Sequence, residues 1–164
     1  MSKSALEIDP LSPRAGKGLA WLYYFARRYD PAIEQFNKTR ELYPNYTEIN
    51  LGPCYEQKGM YDQAINEYLA AEARGGMREE EIAALRQAYM ASGWRGYWQK
   101  QVDLAKAQAE RKPVQAFIIA WFYTRLGEKD RAIELMEQAL KVYEAIESPT
   151  AEKARRKLKE WGAL

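Results

Sequence analysis

Histidine, the side chain that most often carries acid–base and metal chemistry near neutral pH, is absent from this chain, and Cys54 is its one cysteine. Without an imidazole there can be no Ser–His or Cys–His nucleophile pair. No imidazole is then available to lower the Cys54 pKa, and the residue reads as a small core side chain. Carboxylates are plentiful, but they fall at i, i+4 spacings from Lys and Arg. That is the pattern of solvated helix faces, not of a converging acid–base pair. The expectation is a non-catalytic chain with no cofactor and no metal. What remains is binding, carried by apolar and aromatic side chains, so the elements that position them come next.

One stretch is written repeatedly: Met60-Tyr-Asp-Gln-Ala-Ile-Asn-Glu-Tyr68, Arg28-Tyr-Asp-Pro-Ala-Ile-Glu-Gln-Phe36 and Glu128-Lys-Asp-Arg-Ala-Ile-Glu-Leu-Met136. Each copy has an Asp suited to capping a helix, a small Ala that lets the helix approach its neighbour, and a large apolar anchor four residues later. A degenerate copy spans Arg95 to Val102. With Ala32, Ala64, Trp98 and Ala132 as markers, the steps are 32, 34 and 34 residues. A period near 34 marks an array of two-helix units.

Composition agrees with a folded, all-α chain. At 164 residues it matches about one ordinary domain, and its net charge of +2 comes from interleaved acids and bases. That balance gives no broad positive field, so nucleic acid is not an expected partner. No apolar run approaches the ~18 residues of a membrane span, and no signal-like segment follows Met1, so no membrane association is expected. A single cysteine fits a reducing, cytoplasmic compartment.

Along the chain, Pro10 precedes Pro44 by 34 residues, so residues 1–11 read as the remnant of a preceding unit or an N-terminal cap. Four units follow at 12–46, 47–77, 78–112 and 113–147, and residues 148–164 form a capping helix begun by Ser148-Pro149. Gly16 and Gly18 weaken the first helix by ~1 kcal/mol each relative to Ala. Pro53 implies either a bent helix or one that starts late.

The recurring residues resemble the tetratricopeptide repeat: Leu51-Gly52, Tyr55, Gly59, Tyr61, Ala64, Tyr68 and Ala71; Leu19-Ala20, Tyr23, Tyr29, Ala32, Phe36 and Pro44; Ala120, Tyr123, Gly127, Ala132 and Ala139. Segments 21–44 and 91–140 are similar to the repeat tails of bacterial signalling and transcription-regulator proteins. The resemblance implies an α-solenoid, a right-handed superhelix of helix pairs. Its concave face, lined by each pair's first helix, would receive a peptide or helix of a protein partner. The positions it assigns to that face are Lys17, Trp21, Tyr24 and Phe25; Asn50, Pro53 and Gln57; Gln87 and Met90; Phe117, Trp121 and Arg125. The family's carboxylate clamp does not carry over, because Trp21, Glu80 and Ala84 stand where it needs Asn, Lys and Arg. The aromatic members would act as anchors for a partner's apolar groups.

The third unit departs from the pattern. Elsewhere two small residues face each other (Ala20 with Ala32, Gly52 with Ala64, Ala120 with Ala132), but here the pair is Arg86 with Trp98. The expectation is a spread helix pair with the Arg86 guanidinium stacked on the Trp98 indole, with Trp94 and Tyr97 nearby. The reading is a protein-interaction scaffold. Homo-oligomerisation and an engineered repeat scaffold without a dedicated ligand are the alternatives.

Overall fold

A computed structural model of the chain describes residues 12–46, 49, 51–109 and 116–163. Asn50, Pro113 and the segment 1–11 lie outside the described residues. The described secondary structure is all helical: α1 (Pro13–Phe25), α2 (Tyr29–Leu42), α3 (Gly52–Gln57), α4 (Tyr61–Arg74), α5 (Glu79–Ala109), α6 (Ala116–Arg125), α7 (Lys129–Ala145) and α8 (Thr150–Glu160). Helices adjacent in sequence pack as pairs, α1 on α2, α3 on α4, α6 on α7 and α7 on α8. No described helix is long and apolar enough to cross a membrane. The chain divides between Ile82 and Ala83 into two compact units.

Three hairpin turns share one hydrogen-bond scheme. Arg27, Gly59 and Gly127 adopt φ of 58°, 71° and 75°. The next residue, Arg28, Met60 or Glu128, donates its N–H back to the carbonyl of Tyr23, Tyr55 or Tyr123 at 2.9, 2.9 and 3.0 Å. This left-handed closure satisfies carbonyls that the helix end would leave unpaired. The same three residues then start the second helix, their carbonyls accepting from Ala32, Ala64 and Ala132 at 3.1, 3.0 and 3.1 Å. The repeated Asp is therefore not the cap. Asp30, Asp62 and Asp130 sit inside the first turn, and no side chain caps these helices. Their carboxylates favour the positive end of the helix dipole instead. The small pairs are fully buried in two of these hairpins, with Ala20, Ala32, Ala120 and Ala132 all at 0% exposure.

Helix starts explain other sequence features. Ser12 caps α1, accepting from the Ala15 N–H at 3.2 Å, with Pro13 in the first turn. Gly52 opens α3 with Pro53 in its first turn, so this helix starts late and is not bent. Ser148 Oγ accepts from the Thr150 N–H at 3.3 Å where α8 begins. Gly16 is not simply a weak helix residue. A Cβ there would lie 2.4 Å from the Thr39 hydroxyl oxygen, and Thr39 is buried on α2. No such neighbour faces Gly18.

The first unit's core joins Ala20, Ala32, Phe36, Ile49, Leu51 and Cys54, with Trp21, Tyr23, Tyr24 and Tyr55 packed around them. Around α6 to α8, Ala120, Met136, Leu140, Tyr143, Ala154 and Leu158 form a second core, flanked by Phe117 and Trp161.

Candidate aromatic site

The third hairpin is folded by different means. α5 is interrupted at Ser92 (φ −139°, ψ 19°) and Gly93 (φ 60°, ψ −151°), giving an arm over 79–91 and an arm over 94–109. The Gly93 conformation is one that only glycine adopts without strain. The close approach also sits next to the turn. A Cβ on Gly96 would lie 2.3 Å from the Ala88 carbonyl oxygen. Trp98 is 2% exposed and Arg86 is exposed.

Around Trp98 the structure assembles four aromatic residues of the second unit. Its indole stands edge-on to Tyr97 at 4.9 Å, to Trp94 at 5.5 Å and to Trp121 at 5.5 Å between ring centroids. The Phe122 ring lies 5.8 Å away. Edge-to-face rings attract through their quadrupoles, by ~0.5–1.5 kcal/mol per pair beyond the area they bury. One cation of this cluster is a residue that the sequence pattern did not pair with Trp98. The Arg125 guanidinium stands 5.2 Å from the Trp98 centroid and 5.0 Å from that of Trp121, within the range of a cation–π contact. Trp121 is the outward member, at 40% exposure.

Sequence reasoning missed two parts of this cluster. Gln101 is 3% exposed, and its amide donates to the Tyr97 hydroxyl at 3.0 Å. The signal was its i+3 spacing from Trp98 on an otherwise apolar stripe. Phe122 is 8% exposed, and nothing distinguished it from the other aromatics of α6.

In the first unit, Trp21 is half-buried, edge-on to Phe36 at 5.5 Å and to Tyr24 at 5.1 Å, and stacked on Phe25 at 5.9 Å. Phe25 is 74% exposed. The Lys17 ammonium stands over the Tyr46 ring at 5.3 Å. Gln57 is exposed and accepts from the Tyr29 hydroxyl at 3.4 Å. Gln87 is exposed, and Phe117 is half-buried against the α6–α8 core. The structure thus gathers Trp21, Tyr24 and Phe25 on α1, and gathers Trp94, Tyr97, Trp98, Trp121 and Arg125 around the 94–109 arm and α6.

Chemical reactivity is suppressed where it could arise. Cys54 is fully buried, and burial pushes its thiol pKa from an ordinary 9.0 up to about 11, so it stays protonated near neutrality. Among the described residues no group of three or more His, Cys, Asp or Glu side chains could hold a metal ion. A groove of about 510 Å³ between α7 and α8 has Leu140 and Leu158 in its lining, with Arg155, Lys141 and Glu144 among its charged residues. None of its lining residues belongs to the Trp98 cluster.

Helix pairs closed by one repeated turn and held by facing alanines define an all-α helical repeat protein. Residues 18–46 and residues 116–146 each match a model of the tetratricopeptide repeat, so these two hairpins are repeats of that kind. In addition, 67 residues are 33% identical to the RNA polymerase-associated protein CTR9 of Saccharomyces cerevisiae. That similarity covers 40% of this chain and 6% of that protein, so the chain spans a small fraction of its relative's length.

Proposed function

We propose that the chain is a non-catalytic protein-interaction module, in which first-helix faces receive a peptide or helix of a partner. Tetratricopeptide repeats generally mediate contacts between proteins, which supports the coarse reading. The finer reading centres on α6. Trp121 remains 40% exposed although Trp98, Phe122 and Arg125 fix its ring on the protein side. A large aromatic surface held rigid before binding loses little entropy on association, which is what makes such residues anchors. Phe117 and Arg125 lie four residues to either side of it on α6. On α1 the corresponding candidates are Lys17, Trp21, Tyr24 and Phe25, and Gln57 and Gln87 belong to the same proposal. So do the division into four repeats with a capping helix, and an origin as the repeat segment of a longer regulatory protein.

Peptides selected from a displayed library on the full chain test the α6 site. Binding to Trp121→Ala should weaken at least tenfold when measured at a temperature where the variant and the parent have equal helicity. Equal affinity of the selected peptides for both proteins would overturn it.

A further inference from the structure

The α1–α2 and α6–α7 hairpins are equivalent at an offset of 100 residues. Ala20 and Ala120, Ala32 and Ala132, and Phe36 and Met136 are all at 0–1% exposure, and Arg27 and Gly127 take the same left-handed turn. Their first helices differ in what lies on them. On α6 the 94–109 arm supplies Trp98 against Trp121, Phe122 and Arg125, and Lys106 over the Tyr123 ring at 5.4 Å. Phe122 is then 8% exposed. On α1 the equivalent residues are Leu22, at 59%, and Phe25, at 74%. Leu22 and Phe25 follow Gly18 at i+4 and i+7, so the three share one stripe of the helix. A Cβ on Gly18 would meet nothing within 4 Å, which leaves room for another backbone to come close.

Charge narrows the occupant. Between Ser12 and Tyr29 the chain has Arg14, Lys17, Arg27 and Arg28 and no acidic residue. Arg14 lies four residues before Gly18 on the stripe and Arg27 follows its other end, both exposed, while the Arg28 guanidinium stands over the Tyr23 ring at 5.1 Å. The arm that covers α6 carries Arg95, Lys100 and Lys106 against the single acid Asp103, so a helix of that charge would be repelled here.

We propose that the Gly18–Leu22–Phe25 face of α1 docks an acidic amphipathic helix of a partner protein, seated as the 94–109 arm is seated on α6. The partner's apolar stripe would follow the spacing of Trp98, Val102 and Ala105, which are buried in the covering arm. Its glutamates or aspartates would face Arg14 and Arg27. The proposal rests on the reading of the chain as an interaction module, and it is independent of the α6 site.

The experiment uses the full chain and two fluorescent, helix-stabilised synthetic peptides. Both carry Trp, Val and Ala at that spacing, one with glutamate flanks and one with lysine flanks. The acidic peptide should bind at least tenfold more tightly than the basic one, and the gap should narrow as salt rises. Leu22→Asp, at an exposed position and with helicity unchanged, should weaken acidic-peptide binding at least tenfold, whereas Ile146→Asp, exposed outside both candidate faces, should leave it unchanged. Equal binding of the two peptides, or no binding by either, overturns the proposal. Loss with Trp121→Ala but not with Leu22→Asp overturns it and leaves the α6 site standing. Concentration-dependent dimerisation abolished by Leu22→Asp overturns it in favour of a second copy of the chain.

Discussion

The α1–α2 and α6–α7 hairpins are built on one plan, and the two ends of that plan respond to different forces. Inside each hairpin the facing alanines and the tyrosine carbonyl that closes the turn are the same. On the outer face of the first helix, identity of position does not give identity of burial, because Phe122 has an aromatic arm against it and Leu22 does not. A repeat pattern therefore specifies the contact within a pair, while the environment of its outward residues depends on the neighbouring element.

Placing a charge on both faces should separate them most sharply. Phe122→Asp would bury an unpaired carboxylate against Trp98 and should cost ~4 kcal/mol or more, whereas Leu22→Asp should stay within ~0.5 kcal/mol. Urea denaturation of the two variants measures this, and similar losses would erase the distinction.

The turns give the next contrast. Gly127→Ala keeps a left-handed residue where the α1–α2 hairpin tolerates Arg27, and should cost ~1 kcal/mol. Gly93→Ala forces a side chain into a region reserved for glycine and should cost ~2–3 kcal/mol. Thermal unfolding of the pair would test whether the third hairpin really depends on its own turn.

Within α1, two glycines that look alike in sequence should behave oppositely. Gly16→Ala drives a methyl into Thr39 and should destabilise by ~1–2 kcal/mol. Gly18→Ala meets open space and should stabilise the helix by ~0.5–1 kcal/mol. Two changes of the same sign would show that α1 does not pack on Thr39 as described.

Cys54 provides a smaller, pH-dependent effect. Its folded-state pKa of about 11 lies above the ordinary 9.0, so the unfolded chain loses this proton first. Its contribution to stability is then unchanged below about pH 9 and is lost as pH rises toward about 11. Cys54→Ala should remove that part of the alkaline slope. A stability–pH curve identical in the variant and the parent would contradict the burial assigned to the thiol.

The hairpins were legible in the sequence because small residues and turn residues recur at a period set by local geometry. Ala32, Ala64 and Ala132 identified their helices, although the Asp beside each serves the helix dipole and does not cap. The third hairpin was legible only as a deviation. That Gly96 would replace a facing alanine pair, and that Arg125 would reach Trp98, depend on contacts between residues 8 and 27 positions apart, which no local period encodes. The outer faces were least legible, since Leu22 and Phe122 occupy the same position and only the covering arm distinguishes them.

Hydroxyl-radical footprinting of the full chain tests that distinction most directly, because side-chain oxidation follows solvent exposure. Leu22 and Phe25 should be oxidised well above Phe122 after correction for intrinsic reactivity. Protection of Leu22 and Phe25 equal to that of Phe122 would contradict the account, and with it the open docking face on α1.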